Sequence, residues 1–177
     1  MIPMMVAYRI ALFLLALAEW PQTAAAELPA GSPSLDSISL ERSPCIGSCP
    51  AYRLILSRHG VLVFVSRSRG DTIRDSIAPS AVAWLRDEAE RRELSRLPTI
   101  ISRDRALCPT LRSDAPTATV TLYWATRRHH IVDYLGCFLR AGKPAPRLSP
   151  LRRFEAAIDG IARTSRKLRR RVLSPPT

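Results

Sequence analysis

The sequence of 177 residues is poor in glycine and in aromatic residues, and each shortage excludes a class of function. Only seven glycines occur and none forms G-x-G-x-x-G, which excludes a phosphate-binding loop of that type. There is no G-x-S-x-G, so the nucleophile elbow of the α/β-hydrolases is excluded as well. Aromatic residues make up 6% of the chain, and the basic C-terminal segment has none on which nucleic acid bases could stack.

No apolar run is long enough to cross a membrane as a helix. The run at residues 10–18 (IALFLLALA) has nine residues, against the ~20 that a bilayer requires. It follows Arg9 and precedes a segment that ends in small residues, the pattern of a secretory signal peptide. We therefore predict that residues 1–26 are a signal peptide, cleaved after Ala26 or, alternatively, after Ala25. An uncleaved N-terminal anchor formed by residues 1–18 is the competing interpretation.

Cysteine is scarce, but its number is even. Cys45, Cys49, Cys108 and Cys137 all follow the predicted signal peptide, and an even number of cysteines in an exported chain predicts disulfide bonds. Structural zinc sites usually take two close pairs, whereas 28 residues separate the second pair here. Thioredoxin-type chemistry needs C-x-x-C at the start of a helix, whereas Pro50 and a strand pattern follow Cys49. Metal binding and redox chemistry are therefore the less favoured alternatives.

Lysine is nearly absent from a strongly basic chain. Of the 27 basic residues 25 are arginine, and the formal net charge is +12. A basic balance is typical of proteins that bind nucleic acid, anionic lipid or an acidic wall polymer. The arginines are spread along the whole chain, however, and a GC-rich coding sequence explains the same composition. We favour this second interpretation.

Composition divides the chain into three parts after the signal peptide. Residues 27–36 are rich in proline, glycine and serine and predict a flexible linker. Residues 37–165 carry strand and helix patterns and predict a single domain. Residues 166–177 form a basic tail that we expect to be disordered.

Alternating apolar residues predict strands joined by short turns. Strand patterns lie at 37–43, 51–57, 61–67, 71–77, 117–124 and 128–135. The second and third form the clearest hairpin, because Gly60 between them can adopt the positive φ of a tight turn. The last two also pair across a short turn. Residues 99–116 show little periodicity and are predicted as a long connection.

Two amphipathic patterns predict helices. The first opens at Pro79 and ends at Pro98, with Trp84 beside its apolar stripe at the rim of the core. The second opens with Ser149 as its cap and Pro150 as its first residue. Strands joined by short turns pair antiparallel, and helices cover one face of such a sheet. The predicted class is therefore α+β, with an antiparallel sheet of five to six strands built from hairpins and two helices packed on one face.

Chain tracing favours one pairing of the cysteines. If the strands at 117–124 and 128–135 form a hairpin, Cys137 leaves it at the end to which Cys108 can fold back. Cys45 and Cys49 would lie about 13 Å apart in an extended strand, so a bond between them requires a turn, which Gly47 can supply. Crossed pairings stay open, because four cysteines allow three connectivities.

The stretch LERSPCIGSCPAYRLIL resembles a bacterial family of exported domains of unknown function, whose members carry C-x-G-x-C-P-x-Y ahead of a hairpin. The matching residues are Cys45, Gly47, Cys49, Pro50 and Tyr52. The later D-A-P-T (114–117) and D-Y (133–134) resemble two further elements, and the resemblance covers about residues 38–162. It implies an extracytoplasmic α+β domain and no particular activity. The R-H-G turn and the arginine-rich tail depart from the family.

Candidate residues for catalysis or metal binding are few. His129 and Asp133 lie on one face of a predicted strand, two steps apart, while His130 points to the other face. His129 and Asp133 could form the catalytic group of a hydrolase if a serine lay beside them. Asp114 and Asp133 could act as the paired carboxylates of a glycoside hydrolase, but the sequence does not fix the distance between them. His59, His129 and His130 lack the spacing of a zinc site. We predict no catalytic, cofactor-binding or metal-binding residue.

The C-terminal segment carries a cluster of cations that can contact an anionic surface. The cluster consists of Arg163, Arg166, Lys167, Arg169, Arg170 and Arg171. Its affinity for anionic lipid or nucleic acid would depend strongly on salt, and nucleic acid is the less expected partner. A solvated basic terminus is the simpler interpretation.

The leading functional hypothesis is an exported, non-catalytic binding or structural module, secreted or periplasmic, cross-linked by Cys45–Cys49 and Cys108–Cys137. Its partner would be another envelope protein or an anionic envelope surface. The alternatives are an envelope hydrolase that uses His129 or Asp133 and a thiol redox sensor at Cys45 and Cys49.

Overall fold

Alternation of apolar and polar residues produces a six-stranded antiparallel sheet. The computed structural model describes residues 34–68, 70–139, 145–164 and 166–167. The strands are β1 (Ser37–Arg42), β2 (Tyr52–Ser57), β3 (Val61–Ser66), β4 (Thr72–Ser76), β5 (Thr110–Leu111), β6 (Thr117–Tyr123), β7 (Arg128–Tyr134) and β8 (Cys137–Phe138). The large sheet has the order β4-β3-β2-β1-β6-β7, and β5 pairs with β8 in a second, two-stranded sheet. All six strand patterns found in the sequence are therefore strands of the large sheet.

One face of the large sheet carries the core. Leu40, at the centre of β1, lies opposite Leu54 of β2 and opposite Val120 of β6. Each of these residues is buried, and so are the apolar residues on the same face of these three strands. In the first hairpin, Gly60 has φ +85° and the hairpin closes as predicted.

Two helices complete this core. They are α1 (Pro79–Arg91) and α2 (Ser149–Ile161). Their buried apolar residues belong to the same cluster as the core face of the sheet. The buried apolar residues are Val82, Leu85 and Ala89 of α1 and Leu151, Phe154 and Ile158 of α2. The predicted class, α+β with an antiparallel sheet and two helices, is confirmed.

The first helix is shorter than the sequence predicts. It ends at Arg91, and Glu93 follows in the left-handed conformation with φ 50°. A left-handed residue cannot continue a right-handed helix, so the chain resumes as a 3₁₀ turn at Leu94–Arg96 rather than running to Pro98. Trp84 is 45% exposed and lies farther out than a residue at the rim of the core.

The described residues all belong to one compact unit. The predicted signal peptide, residues 1–26, lies outside the described residues, as do most of the predicted linker and residues 168–177. Within the described ranges, no helix has both the length and the apolar character to cross a membrane.

Candidate functional site

One end of the large sheet gathers both disulfides. Arg42, the last residue of β1, lies opposite Tyr52, the first residue of β2. On its other side Arg42 lies opposite Ala118, next to the pair formed by Thr117 and Tyr134. The loop between β1 and β2, the segment that enters β6 and the segment that leaves β7 therefore meet at this end. We call it the disulfide end.

The first disulfide holds the loop between β1 and β2, residues 43–51. Cys45 and Cys49 are bonded with their Cα atoms 5.4 Å apart, and the turn between them uses Gly47 at φ 119°. The loop is also attached at both ends. The Ser43 amide donates to the Thr117 carbonyl at 2.9 Å, and the Arg67 amide donates to the Ala51 carbonyl at 2.9 Å. At its tip the loop exposes Ile46, whose surface is 81% accessible.

The second disulfide holds the segment ahead of β6. Cys108 and Cys137 are bonded with their Cα atoms 5.0 Å apart, and both are buried. In the small sheet Leu111 lies opposite Cys137 and is 55% exposed. The predicted pairing of the four cysteines is confirmed, and the crossed pairings are excluded.

Tyr134 fixes the turn that leads into β6. Its hydroxyl donates to the Arg112 carbonyl at 2.6 Å and accepts from the Ala115 amide at 3.2 Å. Asp114, within this turn, is exposed and has φ 61°. The segment that carries Leu111 is therefore attached to β7 by the Tyr134 side chain and to β8 by the disulfide.

Arg42 and Tyr52, which flank the loop at residues 43–51, belong to a group of ionisable side chains that we call the charge cluster. Its members are Arg42, Tyr52, Asp133, Arg152, Glu155 and Asp159. Asp159 is the acceptor that joins the helix to the sheet. Arg42 donates to its Oδ2 from Nε at 3.0 Å and from Nη2 at 2.9 Å, and the Tyr52 hydroxyl donates to its Oδ1 at 2.5 Å.

The second ion pair of the charge cluster is buried. Asp133 is 0% exposed, and Arg152 binds both its oxygens, from Nε at 2.9 Å and from Nη2 at 3.3 Å. The same Nη2 lies 3.5 Å from the Cys137 carbonyl oxygen. A buried carboxylate that water cannot reach needs a cation as its partner. The ion pair between Arg152 and Asp133 therefore fixes α2 against β7 and the second disulfide.

Glu155 is the unbalanced member of the charge cluster. It is 1% exposed, and its Oε1 has no hydrogen-bond partner within the described part of the chain. Its Oε2 lies 3.4 Å from Nη1 of Arg42. Burial and the neighbouring Asp133 raise the pKa of the Glu155 carboxyl to about 8, although Arg42 and Arg152 act in the opposite direction. At neutral pH the neutral acid is therefore the favoured form of this side chain.

Tyr52 and Arg42 keep their protons. Burial, and then the hydrogen bond to Asp159, raise the pKa of the Tyr52 phenol above its ordinary value. Burial disfavours the charge of Arg42, but Asp159 and Glu155 outweigh this effect and raise the pKa of its guanidinium. Both side chains are therefore hydrogen-bond donors over the whole physiological range.

The structure gives the candidate catalytic residues other partners. Nε2 of His129 lies 3.0 Å from the Leu97 carbonyl oxygen, and His130 is exposed on the opposite face of β7. Asp133 is occupied by Arg152. His59 lies in the turn after β2 and accepts from Arg58. Among the described residues, no three histidine, cysteine or acidic side chains come together as the zinc interpretation requires.

The basic segment after α2 is only partly as predicted. Arg163 and Arg166 are exposed. Lys167 is buried, and its ammonium donates to Asp75 at 2.6 Å and to the Ala162 carbonyl at 2.9 Å. The hydrogen bond from Lys167 lowers the pKa of the Asp75 carboxyl. The prediction of Lys167 as a surface contact is therefore wrong, because the chain beyond α2 turns back onto β4. Arg169, Arg170 and Arg171 lie outside the described residues.

An open groove of about 420 Å³ lies beside this segment. Residues 75–78, from the end of β4 to the residue before α1, form one wall together with Ala81. The other wall consists of Gly160 and Ile161 at the end of α2 and of Arg163 just beyond it. The charge cluster does not line it, so the groove and the disulfide end are separate features.

Most of the charge cluster was not predicted from the sequence. The feature of the sequence that indicates the cluster is a carboxylate within an apolar stripe, since Glu155 lies between Phe154 and Ile158 on the buried side of α2. Arg152 and Asp159 stand three residues before and four after Glu155, which places all three on neighbouring positions of one helix surface. A buried acid with charged helical neighbours could have indicated an internal ion-pair network.

Two comparisons with known proteins bear on the site. The model of a protein family described as a domain of unknown function, DUF6438, matches residues 36–161. The matched range contains both disulfides and every member of the charge cluster. No curated protein matches the sequence.

Proposed function

We propose that this chain, which belongs to the DUF6438 family of domains of unknown function, is an exported binding module that contacts a protein partner through its disulfide end. The expected membership in a family of unknown function is confirmed. The bacterial origin, the export and the cysteine element of that family stay predictions.

The observation that carries the proposal is the display of apolar side chains on cross-linked loops. The exposed large apolar residues of the described chain are Ile46, Val61, Trp84 and Leu111. Ile46 and Leu111 both belong to the disulfide end. Contiguous exposed apolar patches mark binding surfaces, and we propose that Ile46 and Leu111 contribute to one such patch. Cross-links that hold a loop in one conformation reduce the entropy lost when a partner binds.

Cross-linking by two disulfides also supports an exported location. Disulfides persist in oxidising compartments such as the periplasm and the cell exterior and are rare in the cytosol. The predicted signal peptide agrees with this location. Cell fractionation and N-terminal sequencing test it: we expect a mature chain that begins at residue 27, or at 26, outside the cytosol. A cytosolic chain that retains residues 1–26 would refute the export.

Substitution at the loop tip tests the binding surface. The mature protein would capture partners from a cross-linked envelope extract, and Ile46→Asp should reduce capture at least tenfold because it places a charge at the centre of the contact. Val61→Asp is the matched control, since Val61 is also exposed but lies at the opposite end of the sheet. Equal capture by the two variants would contradict the proposal.

The two disulfides differ in solvent exposure, and this difference favours a second candidate function, a thiol switch at Cys45 and Cys49. Cys45 and Cys49 are partly exposed, whereas Cys108 and Cys137 are buried. A short and accessible disulfide can serve as a thiol switch. Its reduction potential tests this: a value below about −300 mV is typical of a structural bond and would exclude the switch.

Exposure of Arg163 and Arg166 supports a contact with an anionic envelope surface as an additional role. Flotation with vesicles that contain anionic lipid tests it. Binding that falls steeply with salt and disappears in Arg163→Gln/Arg166→Gln would support the contact. Binding that these substitutions leave unchanged would exclude these two residues.

A further inference from the structure

The loop at residues 43–51 is attached to α2 by the two residues that flank it. Arg42 precedes the loop and Tyr52 follows it, and both donate to the carboxylate of Asp159. These contacts bridge 117 and 107 positions of the chain. The position of the loop therefore depends on how firmly Asp159 holds Arg42 and Tyr52.

Charges within the cluster balance only when one carboxyl is neutral. The cluster has three carboxyl groups and two guanidinium groups. Arg152 pairs with Asp133, and Arg42 pairs with Asp159. Glu155 is left without a cation of its own, and it competes for Arg42, whose Nη1 lies 3.4 Å from its Oε2.

Three strands and α2 itself present charged or titratable groups to the cluster. These groups are Arg42 from β1, Tyr52 from β2, Asp133 from β7, and Arg152 and Asp159 from α2 itself. Glu155 and Asp133 are more than nine-tenths buried, so water does not screen their charges.

We propose that Glu155 is a proton-controlled latch for the loop at residues 43–51. In its neutral form it leaves Arg42 to Asp159, and the loop stays closed. When it loses its proton, it adds an unbalanced buried charge, draws Arg42 away from Asp159, and the loop opens. The inference rests on the proposed function in one respect: the loop matters because it carries Ile46.

The sign of the effect follows from proton linkage. In the closed form, burial and Asp133 raise the pKa of the Glu155 carboxyl from its ordinary value of 4.5 to about 8, and we infer that opening, which gives the carboxylate Arg42 and access to water, lowers the pKa again. The closed form therefore binds the proton more tightly than the open form does. Below pH 4.5 the latch contributes fully, and the opening constant then rises with pH by at most ~10-fold per unit. The increase ends as the pH passes about 8, where Glu155 is ionised in both forms.

Hydrogen exchange at the two ends of the loop tests the latch in the full mature protein. The Ser43 and Arg67 amides are the probes, since each bonds across the base of the loop. After correction for the intrinsic pH dependence of exchange, their protection should fall by up to ~10-fold per pH unit between about pH 5 and pH 8. The Leu40 amide at the centre of the sheet should stay better protected, which separates loop opening from global unfolding.

Matched variants decide whether Glu155 is responsible. Glu155→Gln keeps the shape of the neutral acid and should remove the pH dependence at both probes. Glu90→Gln changes an exposed glutamate of α1 and should retain the wild-type slope. An unchanged slope in Glu155→Gln would overturn the latch. If that variant does not fold, carbon NMR of the wild-type Glu155 carboxyl decides, and a midpoint below about pH 6 would overturn it too.

This test involves no partner, so it can fail independently of the proposed function. Loss of capture in Ile46→Asp with no slope at Ser43 would support the binding surface and reject the latch. A slope at Ser43 with equal capture by Ile46→Asp and Val61→Asp would support the latch and reject the binding surface.

Discussion

The phenolic oxygen of Tyr52 lies 2.5 Å from Oδ1 of Asp159, and 107 positions of the chain separate the two residues. Tyr52 begins the strand that follows the disulfide loop, and Asp159 lies near the end of α2. The hydrogen bond therefore joins the cysteine-rich element to the last helix. The tyrosine of that element has a physical role that its position in the sequence does not reveal.

Removal of the Tyr52 hydroxyl should destabilise the protein. Tyr52→Phe keeps the ring that stacks on Phe64 at a centroid distance of 5.5 Å but takes a donor from the carboxylate of Asp159. A hydrogen bond to a charged group is worth about 1.5–3 kcal/mol, and we expect a loss in that range by urea denaturation. Tyr123→Phe, on the opposite face of the sheet, should change the free energy of unfolding by less than ~0.5 kcal/mol. Equal effects would contradict the assignment.

Removal of the Arg152 side chain should lower the free energy of unfolding more than Tyr52→Phe does, because it leaves Asp133 buried without its cation. Breaking one side of a buried ion pair typically costs about 3–5 kcal/mol, and we expect Arg152→Ala to fall in that range. Arg153→Ala is the control next in the chain, at an exposed position whose guanidinium donates to the Ser149 carbonyl at 3.3 Å. Thermal and chemical unfolding measure both, and a loss below ~1 kcal/mol for Arg152→Ala would refute the importance of the pair.

Global stability should decrease as the pH rises through the neutral range. The Glu155 carboxyl has its ordinary pKa of 4.5 in the unfolded chain and a pKa of about 8 in the folded one. Its contribution is complete below pH 4.5 and is lost at up to ~1.4 kcal/mol per pH unit until the pH passes about 8. Urea midpoints of the wild type and Glu155→Gln check this, and parallel pH profiles would exclude Glu155 as the source.

The two disulfides should contribute unequally to stability. Cys108 and Cys137 are 29 positions apart, against four for Cys45 and Cys49. Loop entropy then predicts a loss of about 3.5 kcal/mol for Cys108→Ser/Cys137→Ser and about 2 kcal/mol for Cys45→Ser/Cys49→Ser. Denaturation of the two double variants measures the difference. A larger loss from the short loop would show that native contacts, rather than chain entropy, dominate its effect.

Alanine should have opposite effects at two glycines. At Gly60 a Cβ atom would collide with the Ile77 carbonyl oxygen, and φ is +85°. Gly60→Ala should therefore destabilise the hairpin by more than ~1 kcal/mol. Gly160 lies near the end of α2, where an added methyl group would meet no atom within 4 Å, so Gly160→Ala should stabilise the helix by about 0.5–1 kcal/mol. Melting temperatures that shift in the same direction would contradict this expectation.

The strands and the Cys45–Cys49 pair were predictable because their signals are local. The alternation in residues 117–123 buries Ala118, Val120 and Leu122 on one face, as the pattern indicates. The turn at Gly47 likewise suffices to bring Cys45 to Cys49. The short pairing of Thr110–Leu111 with Cys137–Phe138 was not predicted, because two residues are too few to show a period.

The end of the first helix and the burial of Lys167 could not be predicted from the neighbouring residues in the sequence. Glu93 adopts a left-handed conformation that its sequence neighbours do not signal. Lys167 belongs by composition to a basic tail, but its ammonium is held by Asp75, 92 positions earlier. In both cases a contact or conformation set by the folded chain overrides the local pattern.

By itself, then, the amino-acid order determined the antiparallel sheet, its two covering helices and the turn that joins Cys45 to Cys49, because side-chain alternation and short turns act between near neighbours. Only the tertiary structure decided that Arg42, Tyr52, Glu155 and Asp159 share one buried site. The reason is physical: the protonation and the pairing of a charged side chain depend on which distant groups exclude water from it, and the packing of α2 on the sheet selects those groups.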